Sequence, residues 1–211
     1  GHGQPVLFLH GGGQTRRAWD ATARRVAENG MRAIAVDLRG HGESDWVPSG
    51  NYSFADYGAD AVALVRQTKE RFHATPAAVG ASLGGLSMLI AETRNGPLLD
   101  SLVLVDITPR MDPEGVAKIQ GFMGERMEEG FATLEEAAEA IAGYLPNRKR
   151  PPSLDGLRKN LRRGADGRYR WHWDPAFMTS GRNVNFHARE EMERLIAALP
   201  TLHLPVLLVR G

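Results

Sequence analysis

The stretch that decides the fold is Gly80-Ala81-Ser82-Leu83-Gly84. A short apolar run, Ala77–Val79, leads into it, and a helix-like segment of about ten residues follows. Strand, sharp turn and helix is the setting in which a serine hydroxyl stands exposed above a sheet. Side chains two residues before and after the serine would collide as the chain reverses, and glycine removes them. The stretch predicts a nucleophilic Ser82, although a plain strand-to-helix turn that happens to contain serine has the same pattern.

A bare glycine loop follows the first apolar run of the chain. The run Pro5–Leu9 has strand length, His10 closes it, and Gly11–Gly13 come next, before a helix-like stretch over residues 15–28. Glycines after a strand let backbone N–H groups point at a developing negative charge, as an oxyanion hole requires. A nucleotide-binding loop would need a G-x-G-x-x-G continuation or a Walker lysine, and this loop has neither. We expect His10 to support the loop by hydrogen bonding rather than to catalyse.

A third segment, Ala33–Asp45, predicts a strand followed by a glycine-punctuated turn. Together and in this order, the three segments resemble the α/β-hydrolase superfamily. The nearest resemblance is to its branch of cofactor-free haloperoxidases (perhydrolases), small esterases and carbon–carbon bond hydrolases. Leu102–Asp106 and Pro205–Gly211 would be later strands of the same sheet. The resemblance implies an α/β-hydrolase fold: a mostly parallel sheet flanked by helices, with an inserted helical cap.

The same resemblance implies roles for individual residues. Ser82 would be the nucleophile, and the backbone N–H groups of Gly12 and Leu83 would hold the oxyanion. Arg39–Gly42 would form a structural turn under the site and take no part in the chemistry. Serine at this turn favours acyl transfer, whereas haloalkane dehalogenases and epoxide hydrolases place an aspartate there. No metal or organic cofactor is expected.

The acid and the histidine of the family's triad are the missing parts. The resemblance places the acid just after the strand that ends at Gly211, and the histidine one strand further. None of the seven histidines follows that strand, so we expect acid and base beyond Gly211. Asp106 ends an earlier strand and is a reserve acid, although an aspartate that caps the next segment has the same pattern. There is also no room before Pro5 for the family's first two strands. We therefore expect a window on a longer enzyme, and expect the 211 residues alone to be inactive.

The alternation of apolar runs and helical patterns predicts one parallel sheet interrupted by a cap. We expect a hydrolase core at residues 1–107, a helical cap at 108–185, and the core continued at 186–211. From about residue 108 to 185 no strand-like run appears, whereas 134–142 is helical in pattern. An amphipathic helix over 188–199 returns the chain to the sheet. The strands are expected near 5–9, 33–37, 76–80, 102–106 and 204–210.

The cap is expected to determine the substrate. Large or soft apolar residues would line the substrate pocket beside Gly11 and Gly13: Phe122, Met123, Trp171, Trp173 and Phe177. Such a pocket suits a small or medium hydrophobic acyl group, although plain packing within a helical layer explains the same residues. We expect a serine hydrolase acting on an ester through an acyl-enzyme at Ser82. The alternatives are a non-catalytic small-molecule receptor or scaffold on the same fold, or a carbon–carbon bond hydrolase or perhydrolase.

Composition excludes several other classes of function. The net charge of +1, from 26 basic and 25 acidic residues, gives no general attraction to nucleic acid. A local basic cluster is expected to be a solvated cap surface: Arg148–Arg150, Arg158, Lys159, Arg162 and Arg163. The absence of cysteine excludes disulfides, thiolate metal sites and a cysteine nucleophile. No apolar run has membrane-spanning length. We expect a cytoplasmic protein without a nucleic-acid or membrane partner.

Overall fold

A parallel sheet of five strands forms the centre of the computed structural model, which describes residues 1–144 and 153–210. The strands within these ranges are β1 (Pro5–Leu9), β2 (Arg32–Val36), β3 (Ala77–Ala81), β4 (Leu102–Val105), β5 (Leu161–Arg163), β6 (Tyr169–Trp171) and β7 (Val206–Val209). The order across the large sheet is β2-β1-β3-β4-β7, and every neighbouring pair is parallel. All five residues of β1 are buried, as expected for an apolar strand with neighbours on both sides. The predicted parallel sheet is confirmed.

Helices join the strands and cover the sheet. They are α1 (Asp20–Glu28), α2 (Phe54–Phe72), α3 (Leu83–Asn95), α4 (Pro113–Gly124), α5 (Leu134–Tyr144), α6 (Ala176–Thr179) and α7 (Ala188–Ala198), with short 3-10 helices at Arg16–Trp19, Leu154–Lys159 and Leu199–Thr201. A capping box begins α2, because Ser53 and Asp56 each accept the other's backbone N–H. No helix of the described ranges is long and apolar enough to cross a bilayer.

The main core lies where α2 and α3 pack on β1, β3 and β4. Its fully buried members include Leu7, Leu9, Val65, Leu86, Met88, Leu89, Ile90 and Leu102. The first ten residues of α3 are all buried, which matches the absence of charged residues before Glu92 in that helix. The core therefore fixes the carboxyl ends of β1 and β3 relative to each other.

The segment between β4 and α7 corresponds to the predicted cap and is called the cap below. Its secondary structure differs from the expectation in one respect. Helices α4, α5 and α6 are present, but β5 and β6 form an antiparallel hairpin where no strand was predicted. The strands are three residues each, which is too short to show a period of two. Leu161 turns inward and the two arginines after it are exposed. A left-handed Gly167 forms the turn between the strands.

The cap has a small core of its own and an exposed basic surface. Phe131, Leu134, Ala137 and Leu161 form that core. Of the predicted basic cluster, 148–150 lie outside the described residues. Arg158, Arg162 and Arg163 are exposed, and the ammonium group of Lys159 lies 3.4 Å from the carboxylate of Asp20 on the sheet domain.

Candidate active site

Ser82 stands at the turn between β3 and α3, and its backbone is left-handed, with φ 44° and ψ −116°. Glycines on both sides make this turn possible. A Cβ at Gly80 would lie 2.5 Å from Gly85 Cα, and a Cβ at Gly84 would lie 2.5 Å from the carbonyl oxygen of Leu9. Both distances are far below van der Waals contact with backbone atoms that cannot move aside. The turn thus holds Ser82 in a strained conformation with its side chain exposed.

The glycine loop, Gly11–Gly13, follows β1 and is held by hydrogen bonds at both ends. The Gly11 N–H donates to Gln14 Oε1 at 3.1 Å, and the Gly13 N–H donates to His41 Nε2 at 3.1 Å. Within residues 1–144 and 153–210, the Gly12 N–H has no acceptor. The loop therefore keeps its middle amide available for a ligand.

The loop and Ser82 lie side by side because β1 and β3 are neighbouring parallel strands in which Leu9 pairs with Gly80. A Cβ at Gly11 would lie 3.4 Å from Ser82 Cβ, and one at Gly12 would lie 4.0 Å from Leu83 Cδ2. Leu83 begins α3, so its N–H has no acceptor within the helix and lies at the helix's positive end. The serine hydroxyl and two amides that lack acceptors in the described chain thus meet at one edge of the sheet. Such a group can stabilise an oxyanion beside a nucleophile.

Two buried histidines support the glycine loop. The Nδ1–H of His10 donates to the Gly11 carbonyl at 2.8 Å, and its Nε2 accepts the Leu38 N–H at 3.0 Å. Burial lowers the pKa of His10 to about 4. His41, also fully buried, has its pKa lowered to about 3 by burial and by the nearby His10 ring. Both rings are neutral at pH 7 with both nitrogens occupied, so neither can act as a base for Ser82. The supporting role predicted for His10 is the one the structure shows.

Sequence reasoning missed the bonds that Gln14 and His41 make to the loop. Gln14 lies one residue after the glycines, where a side chain reaching back to the loop is a common local pattern. His41 lies 28 residues after Gly13, and nothing in the sequence pairs the two residues. Elsewhere in the described ranges, no histidine hydrogen-bonds the Ser82 hydroxyl, and no three His, Asp or Glu side chains form a candidate metal site.

Asp106 follows β4 at the same edge of the sheet. Ala81 pairs with Val105, so Asp106 lies beside Ser82 in register, and the Ser82 N–H lies 3.4 Å from the Val105 carbonyl. The Asp106 backbone is left-handed, with φ 53°, and its side chain is exposed. Its carboxylate accepts no hydrogen bond from the described residues, so the capping interpretation is not what the structure shows. Its use as a reserve acid stays a prediction.

Three of the five predicted pocket residues of the cap reach the glycine loop. The Cβ positions of Gly12 and Gly13 lie 3.4 Å from Phe177 Cζ and 3.0 Å from Met123 Cε, respectively. Trp173 Nε1 lies 3.8 Å from the same Cβ position at Gly13. The other two make ring contacts within the cap: Phe122 stacks on Tyr144 with ring centroids 4.4 Å apart, and Trp171 packs against Phe122 and Phe131.

Comparison with protein families gives one match over nearly the whole chain. The model of the "Alpha/beta hydrolase family" matches residues 6–211. The match includes the serine turn, the glycine loop and the segment between β4 and α7.

Individual relatives agree with the family match. Esterase Rv0045c of Mycobacterium tuberculosis is 33% identical over 213 residues, covering 98% of this chain and 65% of the esterase. The 2-(acetamidomethylene)succinate hydrolase of Mesorhizobium japonicum is 31% identical over 214 residues, covering 100% of this chain and 71% of that enzyme. Among solved structures, an alpha/beta hydrolase from Novosphingobium aromaticivorans superposes with a TM-score of 0.76 at 25% identity, covering 98% of this chain and 72% of that one. The chain thus spans about two thirds of the length of these relatives.

Proposed function

The chain belongs to the alpha/beta hydrolase family, and we therefore propose that the protein hydrolyses esters of small or medium hydrophobic acids through an acyl-enzyme at Ser82. One observation carries the proposal. An exposed serine in a left-handed turn stands beside two amides, those of Gly12 and Leu83, that have no acceptor within the described ranges. A non-catalytic scaffold does not require this combination, whereas acyl transfer requires both the exposed hydroxyl and the two amides.

The proposed reaction has two steps. Ser82 Oγ attacks the ester carbonyl carbon, its proton passes to a general base, and the carbonyl oxygen becomes an anion. The N–H groups of Gly12 and Leu83 donate to that anion, which exists only in the tetrahedral species, so they favour the transition state over the bound ester. Collapse breaks the bond to the alkoxy oxygen, which takes the proton back from the base and leaves as the alcohol, and Ser82 remains acylated. Water then attacks the acyl carbon and gives a proton to the base, the base passes it to Ser82 Oγ as the acyl bond breaks, and the acid leaves.

The surroundings of the loop support the proposed substrate class. Phe177 and Met123 place apolar atoms next to Gly12 and Gly13, and a hydrophobic acyl group fits such surroundings better than a charged one. The name of the M. tuberculosis relative supports ester hydrolysis as the reaction.

The test uses the native protein and an irreversible serine reagent. A fluorophosphonate should modify Ser82, as located by peptide mass spectrometry, and Ser82→Ala should abolish hydrolysis of p-nitrophenyl butyrate in buffer without peroxide. Modification of a different serine, or continued turnover by the alanine variant, would show that the nucleophile is wrongly assigned. Tight binding of the ester with neither labelling nor turnover would indicate a receptor instead of an enzyme.

A further inference from the structure

We propose that His41 is a positioning residue, which orients the glycine loop so that the Gly12 amide is presented to the oxyanion. This inference rests on the proposed ester hydrolysis. His41 lies on the turn after β2, and its Nε2 accepts the Gly13 N–H at 3.1 Å. The peptide plane that carries the Gly12 N–H also contains the Gly11 carbonyl, which His10 holds at 2.8 Å. His41 fixes the next plane, which contains the Gly12 carbonyl and the Gly13 N–H. With the planes on both sides of the Gly12 Cα held, the Gly12 N–H keeps one direction. Gly13 is left-handed, with φ 75°, and glycine alone would leave this peptide free to rotate.

The hydrogen bonds of the His41 ring define which nitrogen carries the proton. Nδ1 lies 2.9 Å from the Arg39 carbonyl oxygen, which can only accept, so Nδ1 is protonated and Nε2 is the bare acceptor. The ring is completely buried and cannot exchange its partners for water. The turn residue thus supplies an acceptor of fixed position to a loop on the neighbouring strand.

The cap packs on the same ring. Trp173 forms a backbone bridge with His41, and the Phe177 ring lies edge-on to the imidazole with centroids 5.0 Å apart. Phe177 Cζ also lies 3.4 Å from the Gly12 Cβ position. His41 therefore contacts the turn, the cap and the glycine loop. A change in how the cap packs on His41 would also change the orientation of the Gly12 amide.

A buried histidine can equally be a satisfied part of the core, and the two roles have different consequences. A structural role predicts a loss of stability with kcat unchanged in the molecules that remain folded. A positioning role predicts a loss of kcat beyond any loss of stability, because misplacing a catalytic group by about 1 Å can cost about 10²-fold in rate.

Two substitutions distinguish the roles of the two ring nitrogens. In His41→Asn, the amide NH2 can replace Nδ1 as donor to Arg39, but no acceptor reaches Gly13. In His41→Gln, the longer side chain can bring its oxygen near the former Nε2 position and accept the Gly13 N–H. Glu92→Ala is the matched control, since Glu92 is buried at the far end of α3, where it accepts the N–H groups of Leu98 and Leu99.

The experiment measures p-nitrophenyl butyrate kinetics, and inhibition by a trifluoromethyl ketone that forms a tetrahedral adduct with serine. We expect His41→Asn to lower kcat between about tenfold and 10²-fold, to weaken the ketone by a similar factor, and to leave KM within about threefold. His41→Gln should recover most of kcat and of ketone affinity. Glu92→Ala should lower Tm while its kcat stays at the wild-type value.

Amide hydrogen exchange tests the same proposal without catalysis. Exchange at Gly13 should be faster in His41→Asn than in the wild type, and slow again in His41→Gln. Equal exchange and equal kcat in all three proteins would overturn the proposal, as would equal losses of kcat in Asn and Gln variants. If the wild type has no esterase activity, the proposed function fails, while exchange at Gly13 still shows whether His41 holds the loop.

Discussion

At the scale of single residues, the site depends on which backbone groups are already bonded. Gln14 and His41 take up the Gly11 and Gly13 amides, and His10 donates to the Gly11 carbonyl. The Gly12 amide is what remains for a substrate. Its orientation is preorganised, because His10 holds the Gly11 carbonyl that shares a peptide plane with the Gly12 N–H, and preorganised donors are the effective kind in catalysis.

Gly12→Val should lower kcat at least about tenfold with a smaller change in KM, because the amide acts mainly on the developing oxyanion. The φ of Gly12 allows a side chain, but a Cβ there already lies 3.4 Å from Phe177 Cζ. The two methyl groups of valine need the space that the Phe177 ring occupies, so loop or ring must shift. Steady-state kinetics on a short-chain ester measure the effect. A raised KM with unaffected kcat would mean that the loop only shapes the pocket.

At the scale of elements, the close approach of α3 to β1 positions the nucleophile. Gly84 is in the first turn of α3, and its Cα faces the Leu9 carbonyl so closely that no side chain fits. Gly80, at the end of β3, approaches the Gly85 backbone of α3 equally closely. Strand β1 and helix α3 are thereby fixed to each other at the point where both present their amides.

Gly84→Ala should lower the free energy of unfolding by about 2 kcal/mol or more, because a Cβ 2.5 Å from a backbone oxygen forces the strand and helix apart. Gly121→Ala is the control. Gly121 is also helical, in α4, but outside its own helix no atom of residues 1–144 and 153–210 lies within 4 Å of its Cβ position. Alanine there should therefore stabilise by about 0.5–1 kcal/mol. Urea unfolding of both variants gives the comparison. Similar effects at both sites would contradict the packing argument.

At the scale of the whole molecule, the fold buries two neutral histidines, and this makes its stability depend on pH. His10 and His41 have folded-state pKa values lowered to about 4 and about 3, chiefly by burial. Asp37 and His172 also face His41, the aspartate favouring its charged form and the histidine opposing it. In the unfolded chain both rings gain a proton as the pH falls through 6.5.

Unfolding should therefore become easier as the pH falls from 6.5 toward 4. In this window the His10 and His41 rings bind up to two protons in the unfolded chain that they do not bind in the folded protein, and His172, whose pKa is also lowered by burial, adds to the difference. Each contributes a loss of up to about 1.4 kcal/mol per pH unit, and the full stability is present above pH 6.5. Urea unfolding between pH 7 and 4.5 gives the slope, and His41→Gln should reduce it by up to about half. An unchanged slope in that variant would assign the acid sensitivity to other groups.

Much of the fold was predictable because each strand has a local signal. Apolar runs bounded by glycine, proline or aspartate marked each end of the five parallel strands to within two residues. The β5–β6 hairpin was not predictable, since its strands are short and carry arginines on the outer face. It is stabilised by tertiary contacts, with Leu161 in the cap core and the Phe131 backbone bridged to Tyr169.

The candidate site was predictable where its parts are consecutive in sequence. Ser82 with Leu83, and Gly12 between its two glycines, are recognisable from the strand that precedes each. The His41–Gly13 bond joins two separate turns, and its existence depends on the sheet placing β1 beside β2. The same holds for Phe177, whose approach to Gly12 depends on how the cap folds back.

The left-handed backbone of Ser82 also limits what evolution could place at this position. Threonine carries the same hydroxyl, but a β-branched side chain at φ 44° is a genuine conformational outlier. Cysteine and aspartate are unbranched at Cβ and can occupy the turn, so a change of nucleophile to either leaves the fold intact. The turn thus selects among nucleophiles by the branching of the side chain at Cβ and leaves hydroxyl, thiol and carboxylate chemistry all open to its descendants.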